Sequence, residues 1–562
     1  MANTLFLQFT ERVLDEVLGW DPAHATQLGW DRYDHSVRDL SPEAFARQAA
    51  RLRAVVKEFQ GFQDGQLSEE ERIDRDLAIH LFRVRIFEIE ELRMHERMAM
   101  ATEDLGSSLF FLFTREDRPL EKRIDAITSR LEKVPEYLER SKPALTAPCR
   151  LWTEIALETG RALLPFIDTI DEHASAMFGR TDRTARLSSA ARCAKEALDG
   201  YNRWLADEVL PRSGPDTHMA ADVFERYMRL KGFDITPDEA LEVGSAHLAR
   251  TRDRMALTAG RMVRSGSVDE ALHLMKSMHP VDFDEVLACY RRDIQRARDF
   301  LVRKDLATVP DGEKLRVIET PTFMRHVAPF AAQFEPGKFT GARTGMFLVT
   351  PSDNKEILRD HCYPLISNTA VHEGYPGHHL QGICANTHPS FVRVLSNSMD
   401  FGEGWALYCE ELMLDQGFND TPEGRLAQLS DLMFRVVRVI ADVKLSRGET
   451  TPDEVAEMLV RETSMQRDAA LSEARSYTYC PTYYLSYFIG KLALLQLLED
   501  VRRATGDRFS MKLFHDTLLY AGCLPIPFMR REIAMRLREE YGVELGEPRE
   551  RLVDFALREA AK

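Results

Sequence analysis

What this chain of 562 residues lacks removes several classes of function. No uninterrupted apolar run approaches the roughly 18 residues of a membrane-spanning helix. The eight cysteines are widely spaced and include no Cys-x-x-Cys pair, a spread that suits reduced thiols better than a disulfide framework or a thiolate zinc site. Cys384 and Cys409 read as small buried apolar residues. Positive charge is in deficit: 74 Lys and Arg against 90 Asp and Glu leave a net charge of −16. That balance argues against nonspecific binding to nucleic acid or to an anionic membrane. The N-terminal stretch shows no basic segment leading into an apolar core, and with spaced cysteines this reads as a cytoplasmic protein. No segment repeats at a fixed period.

What is present is mainly helix. With 44% hydrophobic residues the chain has ample material for a large core. Ser41-Pro42-Glu43 is an N-cap followed by Pro at the first helical position, opening a helix to about Phe59. Ser68 to Glu71 is a capping box before a helix expected to run to about Met98. Thr236-Pro237 and Thr451-Pro452 repeat the start signal. Breaks near residues 60–66, 142–148, 212–216 and 309–312 divide an N-terminal helical portion, 1–215, from a C-terminal portion, 216–562, which carries the chemistry; the two could be one continuous domain. Pro336-Gly337 stops the helical pattern, and Met346–Val349 after it reads as a short strand. Beside a metal, such a strand's edge could hold an extended substrate by main-chain hydrogen bonds.

The chemistry concentrates in Val371-His372-Glu373-Gly374-Tyr375-Pro376-Gly377-His378-His379-Leu380-Gln381. Imidazole is the usual nitrogen ligand for zinc, and a Glu beside a ligand His is a typical general base. The zinc-protease helix reads His-Glu-x-x-His, with both His on one face; here position 376 is Pro and the next His lies six residues on. On an ideal helix that spacing turns the second side chain roughly 120° from the first. His379, seven residues on, regains the face, but at roughly 10 Å of rise it is too far to share one ion with His372. A widened turn near Pro376, permitted by Gly374 and Gly377, makes His378 the better ligand and leaves His379 to support a ligand or touch substrate. Glu403, near the start of an apolar helix, is the candidate third ligand, with Glu410 or Asp400 to hold a ligand His from behind. The Tyr-rich run from Tyr477 to Tyr487 offers phenols for an oxyanion, with Tyr483 and Tyr487 one turn apart.

Three stretches carry a resemblance: His-Glu-x-x-Pro-Gly-His-His-Leu-Gln at 372–381, Glu-Gly-Trp-Ala-Leu-Tyr-x-Glu at 403–410, and Pro-x-x-x-Leu-Ser-Tyr-x-x-Gly-Lys at 481–491. With Gly341-Ala-Arg-Thr-Gly-Met-Phe-Leu-Val and Ala25-Thr-Gln-Leu-Gly-Trp-Asp-Arg-Tyr-Asp, they resemble the bacterial family catalogued as domain of unknown function 885. That family is similar to helical zinc peptidases of the gluzincin kind. The resemblance implies a large helical zincin-like body with a small β-sheet beside the cleft, a Zn2+ cofactor on His372, His378 and Glu403, and Glu373 as base. It favours Tyr487 as the catalytic phenol. Many members have Pro-Gly-Gln where this chain has Pro481-Thr482-Tyr483, and Arg-Pro-Gly where it has Arg343-Thr344-Gly345.

The expected function is a zinc metallopeptidase acting on short peptides, an exopeptidase or oligopeptidase. Arg343, Arg475 or Lys491 could pair with a peptide's C-terminal carboxylate and make it a carboxypeptidase; Tyr483 and Tyr484 are further substrate-facing candidates. Two other readings stand beside it: an amide hydrolase acting on a small non-peptide metabolite, and a metal-free helical binding protein on a retired enzyme scaffold. No nucleic-acid or membrane partner is expected.

Overall fold

The computed structural model describes residues 3–115, 117–320, 331–351 and 355–562, with backbone only for 355–357. The chain divides into two compact units, Met1–Thr217 with Gly337–Ala342, and His218–Pro336 with Arg343–Lys562. Gly337–Ala342 joins the first unit from far along the sequence. Phe339 N–H donates to the Leu28 carbonyl at 2.8 Å, and its ring meets Trp30 edge-on at 4.7 Å.

The first unit is helical. Ser41 caps Pro42–Gln60 by accepting from Ala44 N–H, and the Ser68–Glu71 capping box starts Glu69–Phe87. The second helix ends earlier than its acidic, charge-dense pattern suggests. A π turn over Glu88–Leu92 delivers the chain to Arg93 at φ 51°, where a left-handed residue halts propagation before Met94–Arg97.

The second unit is helical around one small sheet. Thr236 and Thr451 cap Pro237–Met262 and Pro452–Thr463 through capping boxes. The sheet has the order β1 (Lys314–Glu319), β3 (Thr344–Val349), β2 (Ala331–Phe334); β1 pairs parallel with β3, and β2 antiparallel. The strand foreseen over Met346–Val349 therefore lies in the centre of the sheet, hydrogen-bonded on both sides. It has no free edge for a substrate; among the described residues the sheet's edges are β1 and β2.

Two buried helices cross at the heart of this unit, Met399–Asp415 and Tyr483–Thr505. Glycine makes the crossing possible. A Cβ on Gly404 would lie 2.7 Å from the carbonyl carbon of Gly490, and a Cβ on Gly490 would lie 2.7 Å from that of Asp400. Side chains at either position would force the backbones apart.

Candidate functional site

The histidine segment is not one helix. Tyr363–Thr369 leads into a π turn, Ala370–Gly374, and a new helix begins only at His378, running to Ala385. Pro376 has no N–H with which to continue the ladder. Tyr375 N–H reaches back to the Ala370 carbonyl at 3.3 Å, and Gly377 N–H to the Val371 carbonyl at 3.0 Å. Gly377 is required there: a Cβ would stand 2.5 Å from the carbonyl carbon of His372 and nearer still to its oxygen. Gly374 has room for a side chain, with nothing closer than 3.4 Å to its Cβ position. The tight return at 377 folds the chain back, and the His372 and His378 rings meet edge-on at 4.9 Å.

Glu403 completes the cluster. Its Oε2 lies 3.1 Å from His378 Nε2 and 3.8 Å from His372 Nε2, and the three ligand atoms lie within 4.8 Å of one another. Two imidazole nitrogens and one carboxylate oxygen are a catalytic zinc's donor set, and a tetrahedral ion with bonds of about 2 Å separates its ligands by roughly 3.3 Å. The residues present fit the ion.

The charges fit as well. Burial disfavours an imidazolium at His378, but the carboxylates of Glu403, Glu373 and Glu335 outweigh it and hold its pKa up to about 10. Burial likewise disfavours the Glu403 carboxylate, yet His378 and His372 bring it down to about 2. The two form a buried ion pair.

Supports lie behind each ligand. His372 Nδ1 donates to Glu410 Oε1 at 2.7 Å, leaving Nε2 for a metal. Glu410 is buried; despite that burial, His372, with help from Arg435 and Asn368, keeps its carboxyl below the usual range. Asn368 also donates to Asp431 at 2.6 Å. Asp400, the alternative to Glu410, instead accepts from Ile526 N–H at 3.1 Å and Phe401 N–H at 2.9 Å. Trp405 Nε1–H donates to the Pro376 carbonyl at 2.8 Å, tying the Glu403 helix to the histidine turn.

Of the phenols, Tyr483 makes the direct contact: its hydroxyl donates to Glu403 Oε1 at 3.2 Å and lies 3.3 Å from the Tyr487 hydroxyl. Burial raises the pKa of both, first by desolvation and then through Glu403. Their helix starts at Tyr483. Thr482, at φ 70°, bars an earlier start, and Asp442 caps the end by accepting from Thr482 N–H and Leu485 N–H at 3.1 and 3.0 Å. Tyr484 faces elsewhere, 2.8 Å from Ser476 Oγ and packed on Tyr477.

Glu373 is half-buried beside His372, and its carboxylate has no hydrogen-bond partner among the described residues. His379 points into a different network. Its Nε2 lies 2.9 Å from Glu313 Oε2, its Nδ1 abuts Gly345 of β3, and Glu313 also accepts from Tyr375 and, at 2.9 Å, from Arg298. The role foreseen for His379 at ligand or substrate gives way to a structural one. Two of the cations expected for a peptide carboxylate are engaged by other groups: Lys491 is buried on Glu411 at 2.6 Å, and Arg343 is exposed with its guanidinium on the Asp311 carbonyl. Arg475 lies part-buried on Arg467–Tyr477.

Two site carboxylates escaped the sequence reading. Glu313 begins the sheet segment and clamps both Tyr375 and His379, the residues bracketing Pro376-Gly377-His378. Glu335 follows β2 with part of its surface open to solvent; at its carboxyl group, desolvation and the nearby Glu373 outweigh His378 and push its pKa up to about 7. The signal was indirect: Gly382 is a bare position against which Glu335 lies, and Gly345 one against which His379, the partner of Glu313, lies.

The fold has counterparts among solved structures. A protein of unknown function from Shewanella oneidensis, described as a "putative lipoprotein", matches with a TM-score of 0.79 at 20% identity, over 94% of this chain and 99% of that one. A "putative lipoprotein" from Colwellia psychrerythraea matches with a TM-score of 0.84 at 17% identity, over 96% and 99%. These descriptions correct the cytoplasmic location expected from the sequence. A lipoprotein is exported and held at a membrane by its lipid, and neither an acidic surface nor spaced cysteines distinguishes that setting from the cytosol. No curated protein matches the chain. The family model described as "Bacterial protein of unknown function (DUF885)" matches residues 22–533, and the chain belongs to that family.

Proposed function

We propose that this protein is a zinc-dependent hydrolase that cleaves amide bonds of short peptides, built on a helical body of the zincin, gluzincin-like kind. The observation that carries the reading is the convergence of His372, His378 and Glu403 from three separate helical segments, with Glu410 behind one ligand and Glu373 beside it without a hydrogen-bond partner among the described residues. A zinc ion held by these three residues would supply Lewis acidity to a water and to the scissile carbonyl. Glu373 accepts the proton of the attacking water and passes it to the leaving amine. Tyr483 keeps Glu403 oriented. Tyr487, hydrogen-bonded to Tyr483, stays protonated and is the donor for the developing oxyanion. The relatives described as lipoproteins support peptides met outside the cytosol as the substrates.

The test is metal content followed by activity. Wild-type protein purified without chelator should carry about one zinc per chain, and Glu403→Gln close to none. Incubated with a peptide library and read by mass spectrometry, the wild type should cleave. Glu373→Gln should keep its zinc and lose roughly 10²- to 10⁴-fold in rate. A zinc-loaded wild type that cleaves no peptide sinks the peptidase reading and leaves a non-peptide amide as substrate; a wild type that binds no zinc sinks the metal reading.

A further inference from the structure

We propose that Glu335 is the cation-recognition residue of this site, so that the enzyme takes substrates bearing a positive charge beside the scissile amide. This deepens the hydrolase reading and rests on it.

Glu335 leaves the end of β2, a strand with one free edge. Its carboxyl group lies directly on Gly382, where a Cβ would overlap the carboxyl carbon and both oxygens. Gly382 sits four residues after His378 in the helix His378–Ala385. Residues four apart share a helix face, so the carboxylate occupies the ligand's face one turn beyond the ligand. A side chain at 382 would displace the carboxylate from this place. Solvent reaches the residue, so a ligand can too.

Its surroundings exclude the duller roles. His372, His378 and Glu403 converge without it, so it is not needed as a ligand. No hydrogen bond or ion pair engages its carboxylate among the described residues; the charges near it are His378 and Glu373. An ammonium or guanidinium on the substrate donates a charge-assisted hydrogen bond to this carboxylate.

The cation has two possible sources, the free α-amino group or a basic side chain. Three metal-directed probes separate them on the zinc-loaded full-length protein by calorimetry: L-leucine hydroxamate carries the α-amine, Nα-acetyl-L-lysine hydroxamate only a side-chain amine, and N-acetyl-L-leucine hydroxamate neither. One of the cationic probes should bind roughly tenfold or more tighter than N-acetyl-L-leucine hydroxamate, as a charge-assisted hydrogen bond allows. Glu335→Gln should erase that preference while binding N-acetyl-L-leucine hydroxamate as the wild type does, which also reports an intact fold and metal. Equal affinity for all three probes in the wild type overturns the proposal and leaves the metal reading standing, as does a preference that survives in Glu335→Gln. Failure of every hydroxamate to bind overturns the proposal together with the metal reading.

Discussion

Gly490→Ala sets two effects of opposite sign against each other. Inside a helix, alanine is favoured over glycine by about 1 kcal/mol, and Gly490 lies within Tyr483–Thr505. Propensity alone predicts a more stable protein. The crossing predicts the reverse, because the new Cβ would stand 2.7 Å from the Asp400 carbonyl carbon and closer still to its oxygen. Carbon atoms in contact rest about 3.5–4.0 Å apart, so the two helices must separate by roughly 1 Å. The obstacle is backbone, and no rotamer change relieves it. Overpacking of this kind costs about 1–3 kcal/mol, and a backbone obstacle belongs at the upper end, leaving a net loss of roughly 1–2 kcal/mol. The separation also reaches the site: the Tyr483–Glu403 hydrogen bond, 3.2 Å long, does not survive a 1 Å displacement. Zinc affinity should fall by roughly tenfold, the lower end for loss of a group supporting a ligand. The assays are urea unfolding and zinc competition against a chromophoric chelator. Gly260→Ala is the control; it is also helical, exposed, and meets nothing within 4 Å, so it should gain stability. A Gly490→Ala protein at least as stable as wild type, with unchanged zinc affinity, would refute the crossing as the feature that seats Glu403.

Two further outcomes follow from buried groups. Glu313→Gln keeps the shape of the clamp but removes the charge that Arg298, Tyr375 and His379 share. It should cost roughly 2–3 kcal/mol in urea unfolding and weaken zinc binding by roughly 10- to 100-fold, although Glu313 touches no ligand atom; unchanged zinc affinity would make the clamp irrelevant to the site. His515, fully buried, donates to the Leu306 carbonyl at 2.7 Å and lies 2.9 Å from the Tyr408 hydroxyl; burial lowers its pKa to about 4. Unfolding frees it to take up a proton below about pH 6.5, so the stability it permits is full above that pH and falls as the pH drops toward 4. At pH 5 the loss is about 2 kcal/mol, and His515→Gln should shrink the difference in unfolding free energy between pH 7 and pH 5 by that amount.

The helices were legible wherever their start signals were local. Ser41, Ser68, Thr236 and Thr451 each cap the helix their spacing announces, because a cap is a contract between residues three apart. Ends were less legible. The helix from Glu69 gives way at a π turn and a left-handed Arg93, and no breaker residue marks the place. The position of the strand within its sheet was hidden for a different reason. Whether Thr344–Val349 is an edge or a centre depends on two partners, Lys314–Glu319 and Ala331–Phe334, whose pairing is set by long-range packing that no periodicity in the strand itself encodes.

At the site, sequence distance divides what could be read from what could not. His372 and His378 were legible because Pro376 and Gly377 between them leave the backbone one economical way to turn, and Glu403 because a carboxylate on an apolar helix demands a partner. Glu313 and Glu335 lie in stretches whose local pattern asks for nothing: one opens a strand, the other closes one. Their partners, 66 residues on for Glu313 and His379, are fixed only by the fold. The trace such groups leave is negative, a glycine where a helix or strand would otherwise carry a side chain. Gly345 makes room for His379, Gly382 for Glu335, and Gly404 and Gly490 for each other's backbones. None has a positive φ among these four, so turn chemistry does not explain them. Glycines inside regular elements, without a conformational reason to be there, therefore mark the places where this chain brings a distant group up to the segments around the His372, His378 and Glu403 cluster.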